Sequence, residues 1–392
     1  MPQTRTEIMT LHMGPQHPST HGVLRVDLEL DGEVVVGVTP YLGHLHRGIE
    51  KIAENKTFHQ VIPLTDRLDY TSPMIMNLGY ALAVERLLGL EVPERAQVIR
   101  VIMAEITRIQ SHLIWLGTHV IDIGAMSPIM YAFREREQVL DIFEMVAGAR
   151  MNPSYIRIGG VNGDLTSEMV EKINAFVEEF PKHIQEYEDL LTKNPIWINR
   201  TKEVGVITAE EAINLGTTGP TLRSCGMKWD LRKTNPYSGY ETYDFEIPLG
   251  KNGDVYDRYL VRVAELRQSV DLIKQGLKKL RSGPIYPDAP KVIPPSKERV
   301  MTDIGALIHH FKIISEGYKV PEGEVYGAIE TPRGELGFYI VSDGSSRPYR
   351  VKIRTPSLIN LEALETLCKG RLIADVVAII GSMDICLGEV DK

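Results

Sequence analysis

Six of the eleven histidines fall before residue 60: His12, His17, His21, His44, His46 and His59. The run Gly14-Pro15-Gln16-His17-Pro18-Ser19-Thr20-His21-Gly22 is kept out of regular structure by its prolines and glycines, and function concentrates on such loops when a rigid scaffold holds them. His17 and His21 are four apart. On a loop interrupted by Pro18 that spacing does not put both rings on one face, so a metal site made of histidine alone is disfavoured against bonding to the loop backbone. A second group is Thr65-Asp66-Arg67-Leu68-Asp69-Tyr70, ahead of a helix. Asp69 reads as its N-cap. Tyr70 reads either as a core residue or as a phenol that donates a hydrogen bond or a proton. In Val120-Ile121-Asp122-Ile123-Gly124-Ala125 a lone acid sits among apolar residues, where it either caps a helix or has a charged partner, a histidine being one candidate. Arg134-Glu135-Arg136-Glu137 reads as a solvated helix face. Glu330-Thr331-Pro332-Arg333-Gly334-Glu335 reads as a charged turn between strands. These residues describe a polar, loop-built site of His, Tyr and Asp, with no evident nucleophile, phosphate loop or metal cage.

The elements that must position them are of two kinds. Val23 to Leu30, then Asp31-Gly32, then Glu33 to Thr39 is a hairpin pattern. Tyr70–Leu88, Glu94–Leu116 and Ser127–Ala149 have apolar residues three and four apart and predict helices; Pro93 stands at the start of one and Ser127-Pro128 at the N-cap and first turn of another. Further helices are expected from Thr166 to about Lys193 and from Asp254 to Ser282. Short strands follow at Gly323–Ile329, Gly334–Asp343 and Tyr349–Ile353, then helical stretches near Leu358–Leu367 and Gly370–Ile380. The expected fold class is α+β: a central helical bundle with small antiparallel β regions near both termini. Residues 1–46 form an N-terminal hairpin region with the site loop, 47–320 a helical core, and 321–392 a C-terminal region of strands and short helices, in one body without repeats or linkers.

Composition narrows the function. The chain has 392 residues with 52 acidic and 44 basic side chains, a formal net charge of −8, which argues against a dedicated nucleic-acid binder. Cys225, Cys368 and Cys386 lie far apart, so neither a disulfide scaffold nor a cysteine-rich metal site is expected. The first residues lack the pattern of a signal peptide. The longest apolar stretch, near Leu372–Ile380, is broken by Asp375 and is too short to span a bilayer. A soluble or peripheral protein is expected.

The loop Gly14–Gly22 resembles the opening signature of the 49-kDa-type subunit family of respiratory complex I, the NADH:quinone oxidoreductase. The resemblance runs through His46-Arg47-Gly48-Ile49-Glu50-Lys51, Arg67-Leu68-Asp69-Tyr70, Asp122-Ile123-Gly124-Ala125, Phe133 to Glu137, Ile156 to Val161, Trp229 to Lys233, Pro332 to Glu335 and Gly388-Glu389-Val390-Asp391. It covers essentially the whole chain. That family is similar in fold to the large subunit of nickel–iron hydrogenases, whose metals are held by four cysteines. The corresponding positions here fall near Asp69 and Ser72, and on Cys386 and Glu389, so one thiol survives where four are required.

The resemblance implies that the old metal cavity serves as a quinone-headgroup pocket. His21 and Tyr70 match the family's headgroup ligands, and Asp122 matches the carboxylate that pairs with the histidine. A tyrosine hydroxyl and an aspartate-paired imidazolium can bond the two quinone oxygens and supply protons. The electrons would come from a [4Fe–4S] cluster in an adjacent subunit, with quinone as substrate and no cofactor tightly bound by this chain. Arg47 matches an arginine near that terminal cluster. A histidine common in the family after Ala149-Arg150-Met151 is replaced by Asn152, which cannot titrate; this implies a cluster of lower potential with weak pH dependence, suited to a quinone such as menaquinone. The implied partners are the small iron–sulfur subunit carrying the terminal cluster, the 30-kDa-type subunit and a membrane subunit completing the quinone channel, with no nucleic acid. The implied location is peripheral, on the cytoplasmic side of the cell inner membrane. A related complex with a ferredoxin or deazaflavin donor, and more remotely a nickel–iron hydrogenase, are the alternatives.

Overall fold

The computed structural model describes residues 7–17 and 22–392, so His21 lies outside the described residues. The chain opens with an antiparallel sheet in the order β1 (Ile8–Met13), β2 (Arg25–Asp31), β3 (Val34–Tyr41). On β2, Val26, Leu28 and Leu30 point inward at the two-residue period of a half-buried strand. Gly32 takes the left-handed conformation that the tight β2–β3 turn demands. The expected hairpin is present. Strand β1 is an addition to the expected elements: its residues are mostly exposed and carry no alternation.

Helices α1 (Ile49–Glu54), α2 (Phe58–Thr65), α3 (Pro73–Leu88), α4 (Glu94–Asp122), α5 (Ser127–Ala147) and α6 (Ser167–Leu191) follow, with a small β4–β5 hairpin (Ile156–Arg157, Gly160–Val161) before α6. Next come the short α7 (Pro195–Thr201), α8 (Ala209–Asn214), α9 (Pro220–Ser224) and α10 (Leu231–Thr234), then the long α11 (Val255–Lys279) and the pair α12 (Lys297–Thr302) and α13 (Ile304–Ser315). A second antiparallel sheet, β6 (Gly323–Thr331), β7 (Gly334–Ser342), β8 (Arg350–Arg354), precedes α14 (Pro356–Leu361), α15 (Leu364–Cys368), α16 (Ile373–Met383) and α17 (Leu387–Val390). Among the described residues no helix is long and apolar enough to cross a membrane.

Two helix starts differ from expectation. Helix α3 begins at Pro73, whose missing N–H costs nothing in a first turn, rather than at Tyr70; Tyr70 is thereby left on the preceding loop. Its N-cap position is Ser72, not Asp69. Ser127 is the first helical residue of α5 and Met126 occupies the N-cap position. Thr166 and Asp254, by contrast, cap α6 and α11 by accepting backbone N–H groups, as their sequence position suggests.

Helix α4 is buried on nearly every side and carries Arg100, Glu105, Arg108, Ser111 and His112 into the interior. Charges there persist only when paired. Arg100 grips Glu85 of α3 with both terminal nitrogens, one at 3.0 Å and the other at 2.5 Å, and Glu85 also accepts the Gly159 N–H at 2.7 Å. Deeper, Arg223 donates to Glu265 at 2.6 Å and to Glu330 at 2.7 Å, while His112 meets Glu265 at 2.8 Å. Glu135, expected on a solvated face, is also buried and takes a hydrogen bond from Tyr187 and one from Arg134 at 2.5 Å.

Two apolar cores result. The larger joins α1–α6 and α11 to β6–β8. The smaller joins the N-terminal sheet to Val204, Ile207, Leu222 and the C-terminal helices α15–α17. The two ends of the chain therefore share a core. Glu85→Ala leaves the Arg100 guanidinium buried without its carboxylate; we expect a loss of about 3–5 kcal/mol in equilibrium denaturation, and a loss under about 1 kcal/mol would contradict the pairing.

Candidate functional site

The loop between α2 and α3 meets the C-terminal segment at one place. Around it lies a cavity of about 340 Å³ lined by Leu45, Arg47, Ile49, Arg67, Tyr70, Asn152 and Gly388. Each wall is held by specific bonds. The backbone N–H groups of Gly43 and Leu45 donate to the two carboxylate oxygens of Asp391, both at 2.8 Å, which pins the loop that carries Arg47 to the chain's other end. Gly388 packs against the carbonyl oxygens of Leu68 and Arg67 so closely that a methyl group there would lie 2.7 Å and 3.0 Å from them. Asn152 and Ser154 both have positive φ, and Ser154 donates to buried Asp66 just before Arg67. Burial pushes the Asp66 carboxyl up to about 6, against the pull of the Ser154 and Asn77 hydrogen bonds.

Tyr70 is 41% exposed, with buried Asp69 before it and buried Thr71 after it. The Asp69 side chain accepts from the Thr71 N–H at 3.0 Å, from the Thr71 hydroxyl at 2.7 Å, and from Ser72. This is an Asx turn, which resembles an N-cap in sequence. The turn is locked from behind by Arg333. Its guanidinium donates to Asp69, to Thr71 Oγ1 at 2.9 Å, to Ser111 of α4 at 3.3 Å, and to Asp384 through Oδ1 at 2.9 Å and the backbone carbonyl at 2.6 Å. Burial works against the Arg333 charge, but Asp384 and Asp69 outweigh it and hold the guanidinium well above its ordinary range. The β6–β7 turn reaches this position because Gly219 and Gly334 pack backbone to backbone; a side chain on Gly219 would strike the Arg333 carbonyl.

Cys386 is buried next to the phenol. Its thiol, followed by burial, raises the Tyr70 hydroxyl above the usual phenol range, with Arg333 opposing. Tyr70 therefore stays protonated at any physiological pH and is a hydrogen-bond donor. Arg47 and Arg67 add two positive charges at the cavity rim, and Leu45 and Ile49 add apolar surface. The arrangement can hold a flat, partly apolar molecule by an oxygen and stabilise negative charge that develops on it.

Of the residues singled out from sequence, the structure brings Tyr70, Arg47 and Asn152 together. Asp122 is not among the cavity's lining residues. It lies in the last turn of α4 against α16, where a methyl group on Gly381 would sit 3.1 Å from its Oδ2. His119, one turn earlier on α4 and stacked on Trp115, faces the same glycine. His17 forms an isolated bridge with Gly22. The pairing of Asp122 with His21 falls outside the described residues.

Asp69, Ser72, Cys386 and Glu389, the positions that the resemblance sets against hydrogenase cysteines, lie together here: Ser72 donates to Asp69, and Asp69 is a charged neighbour of both Cys386 and Glu389. Their chemistry does not fit a nickel–iron centre: three of the four are oxygen donors, and Asp69 is already paired with the Arg333 cation. Among the described residues no cluster of three or more His, Cys, Asp and Glu has a metal-binding arrangement. Arg333 is the organiser that sequence reasoning misses. It is visible as part of a charged turn, but nothing local names a partner 264 residues away. A larger cavity of about 550 Å³ lies by Leu82, Glu85, Arg86, Gln97 and Arg100, but its buried charges are committed to the Glu85–Arg100 pair.

Residues 122–392 match the family described as respiratory-chain NADH dehydrogenase, 49 kDa subunit. The chain is 59% identical over 387 residues to the D-type subunit of NADH-quinone oxidoreductase from Geotalea uraniireducens (strain Rf4), covering 99% of both chains. It is 58% identical over 387 residues to the same subunit of Geobacter metallireducens, again covering 99% of both. It is 58% identical over 391 residues to the second D-type NADH-quinone oxidoreductase subunit of Chloroflexus aurantiacus, covering 99% of this chain and 95% of that one.

Gly388→Ala forces a methyl group against the Leu68 carbonyl and must displace either the Tyr70 loop or α17. The expected cost is about 1–3 kcal/mol, read as a lower unfolding midpoint; an unchanged midpoint would show that the two segments are not packed as described.

Proposed function

The chain belongs to the 49 kDa subunit family of the respiratory-chain NADH dehydrogenase, a component of the multi-subunit NADH–quinone oxidoreductase, and from that premise we propose that the Tyr70 cavity receives the quinone headgroup. The observation that carries this reading is Tyr70 lining a cavity with Arg47 and Arg67, on a loop whose flanking Asp69 and Thr71 are held by the buried Arg333 guanidinium.

Quinone reduction takes up two electrons and two protons. The electrons reach the headgroup from the terminal [4Fe–4S] cluster of the adjacent iron–sulfur subunit. As charge builds on the quinone oxygens, Tyr70 donates a hydrogen bond and then a proton to one of them. Arg47 and Arg67 lower the energy of the anionic intermediate state through their field. His21, paired with Asp122, serves the second oxygen. Leu45 and Ile49 contact the ring and exclude water, which strengthens each of these interactions. The 30-kDa-type subunit and a membrane subunit complete the assembly, the latter closing the quinone channel, and reduction drives proton translocation. The chain sits peripherally on the cytoplasmic side of the inner membrane.

Asn152 supports a further feature of this reading. It lines the cavity with Arg47 and carries no titratable group. Reduction of the adjacent cluster is expected to have a midpoint potential nearly independent of pH, checked by redox titration at two pH values; a strongly pH-dependent midpoint would contradict it.

Tyr70→Phe removes the donor and keeps the ring. In the native complex, driven by an artificial low-potential donor, quinone reduction is expected to fall by about 10²-fold or more with subunit content and cluster reduction unchanged. Full activity would remove Tyr70 from the reaction.

A further inference from the structure

Behind Tyr70 the buried carboxylates outnumber the cations that pair with them. Asp69, Asp384 and Glu389 all face Arg333. Asp69 and Asp384 each receive a charge-assisted hydrogen bond from it. Glu389 receives none: its Oε1 accepts the Ser357 N–H at 3.0 Å, and its Oε2 is buried with no hydrogen-bond partner among the described residues. An ionised carboxylate is not left in that state in a protein interior; it keeps a proton instead. The other charged groups near this cluster are Arg262, whose charge interacts first with Asp384, and Lys392, whose ammonium donates to the Ile353 carbonyl.

We propose that Glu389 is the proton store that re-protonates Tyr70 during quinone reduction, an inference that rests on the reading of the Tyr70 cavity as the quinone site. The group that has both as neighbours is Cys386. Its thiol is the first electrostatic neighbour of the Tyr70 hydroxyl and donates to the Leu68 carbonyl at 3.7 Å, and its own charged neighbours are Asp69, Arg333 and Glu389. Cys386 and Glu389 are fixed relative to each other by Ser357, which donates its N–H to Glu389 and accepts the Cys386 N–H at 3.1 Å through its hydroxyl.

The cluster chain of the complex supplies two electrons to the quinone. Tyr70 gives its hydroxyl proton to one quinone oxygen as the O–H bond of the new quinol forms. The Cys386 thiol proton moves to the tyrosine oxygen, and the Glu389 carboxylic proton moves to the sulfur. The group of buried acids is left with one added negative charge, on Glu389 facing Arg333, until a proton from solvent restores it. Burial, with Asp69 close by, pushes the Glu389 carboxyl up to about 8, so the store is filled at neutral pH and discharges on demand.

The test is quinone reduction by the native complex, driven by an artificial low-potential donor, for wild type, Glu389→Gln and Tyr70→Phe across a pH series in water and deuterated water. Glutamine keeps the Ser357 acceptor and mimics the neutral acid but cannot release a proton. Wild-type activity is expected to fall as pH rises through about 8. Glu389→Gln is expected to be at least tenfold slower at neutral pH, to lack that limb, and to lose the solvent isotope effect on the step. A Glu389→Gln complex with wild-type rate and the same alkaline limb overturns the proposal, and if Tyr70→Phe is slow in the same experiment the quinone-site reading stands without it. If Tyr70→Phe keeps full activity, the site reading fails and the proposal falls with it. Should Glu389→Gln not assemble, infrared difference spectra of wild type decide: a protonated carboxylic band that bleaches on quinone reduction supports the store, and its absence overturns it.

Discussion

The site depends on one buried cation. Arg333 joins the β6–β7 turn to the Asx turn at Asp69, to Ser111 on the central helix and to Asp384 at the end of α16. These four segments are distant in sequence, and none of them alone specifies where Tyr70 stands. A guanidinium with a planar fork of donors can bond all of its partners at once, whereas an ammonium offers three donors from a single point. Its burial is tolerated because two carboxylates compensate it, and the carboxylates are tolerated because it is there. Removing either side would strand a charge in the interior, so the arrangement is held together in both directions.

This constraint also accounts for the electrostatic character of the cavity. Behind Tyr70 the Cys386 thiol, followed by burial, raises the energy of a phenolate and keeps the hydroxyl protonated. The rim in front, with Arg47 and Arg67, is positive and favours an electron-rich occupant. A proton donor at the boundary between the two is suited to an acceptor that takes up electrons first and protons next. The C-terminal segment takes part in both faces: Gly388 lines the cavity, Asp391 anchors the Arg47 loop, and Cys386 stands beside the phenol with Glu389 among its own charged neighbours. The shared core between the N-terminal sheet and α15–α17 is what brings the two ends of the chain to this point.

The long helices and the hairpins β2–β3 and β6–β7 are legible in the sequence because periodicity is a local property: α4, α6 and α11 each carry their apolar residues at helical spacing, and the last two begin at capping side chains. Strand β1 is not legible, because an edge strand that buries little has no alternation to read. The short helices between Pro195 and Thr234 escape for a different reason. They are fixed by caps such as Asn194, Thr208 and Asp230 and by buried arginines whose partners are remote. At the site, residue types are readable and partnerships are not. Family resemblance picks out Tyr70 and Arg47, and the structure brings them to one cavity. Asp69 looks like a cap because an Asx turn and an N-cap use the same local hydrogen bond. Glu135 looks solvated because charge patterning along a helix cannot say which face is covered. Arg333 and Glu389 acquire their meaning only from contacts across the fold.

Photolabelling of the native complex with an azido-quinone, followed by peptide mapping of this chain, would locate the headgroup without relying on any variant. If quinone occupies the Tyr70 cavity, label falls on the segments around Leu45–Ile49, Arg67–Tyr70 and Gly388, and excess unlabelled quinone abolishes it. Competable label confined to another surface, such as the cavity beside Glu85 and Arg100, with none on these segments, would contradict that placement.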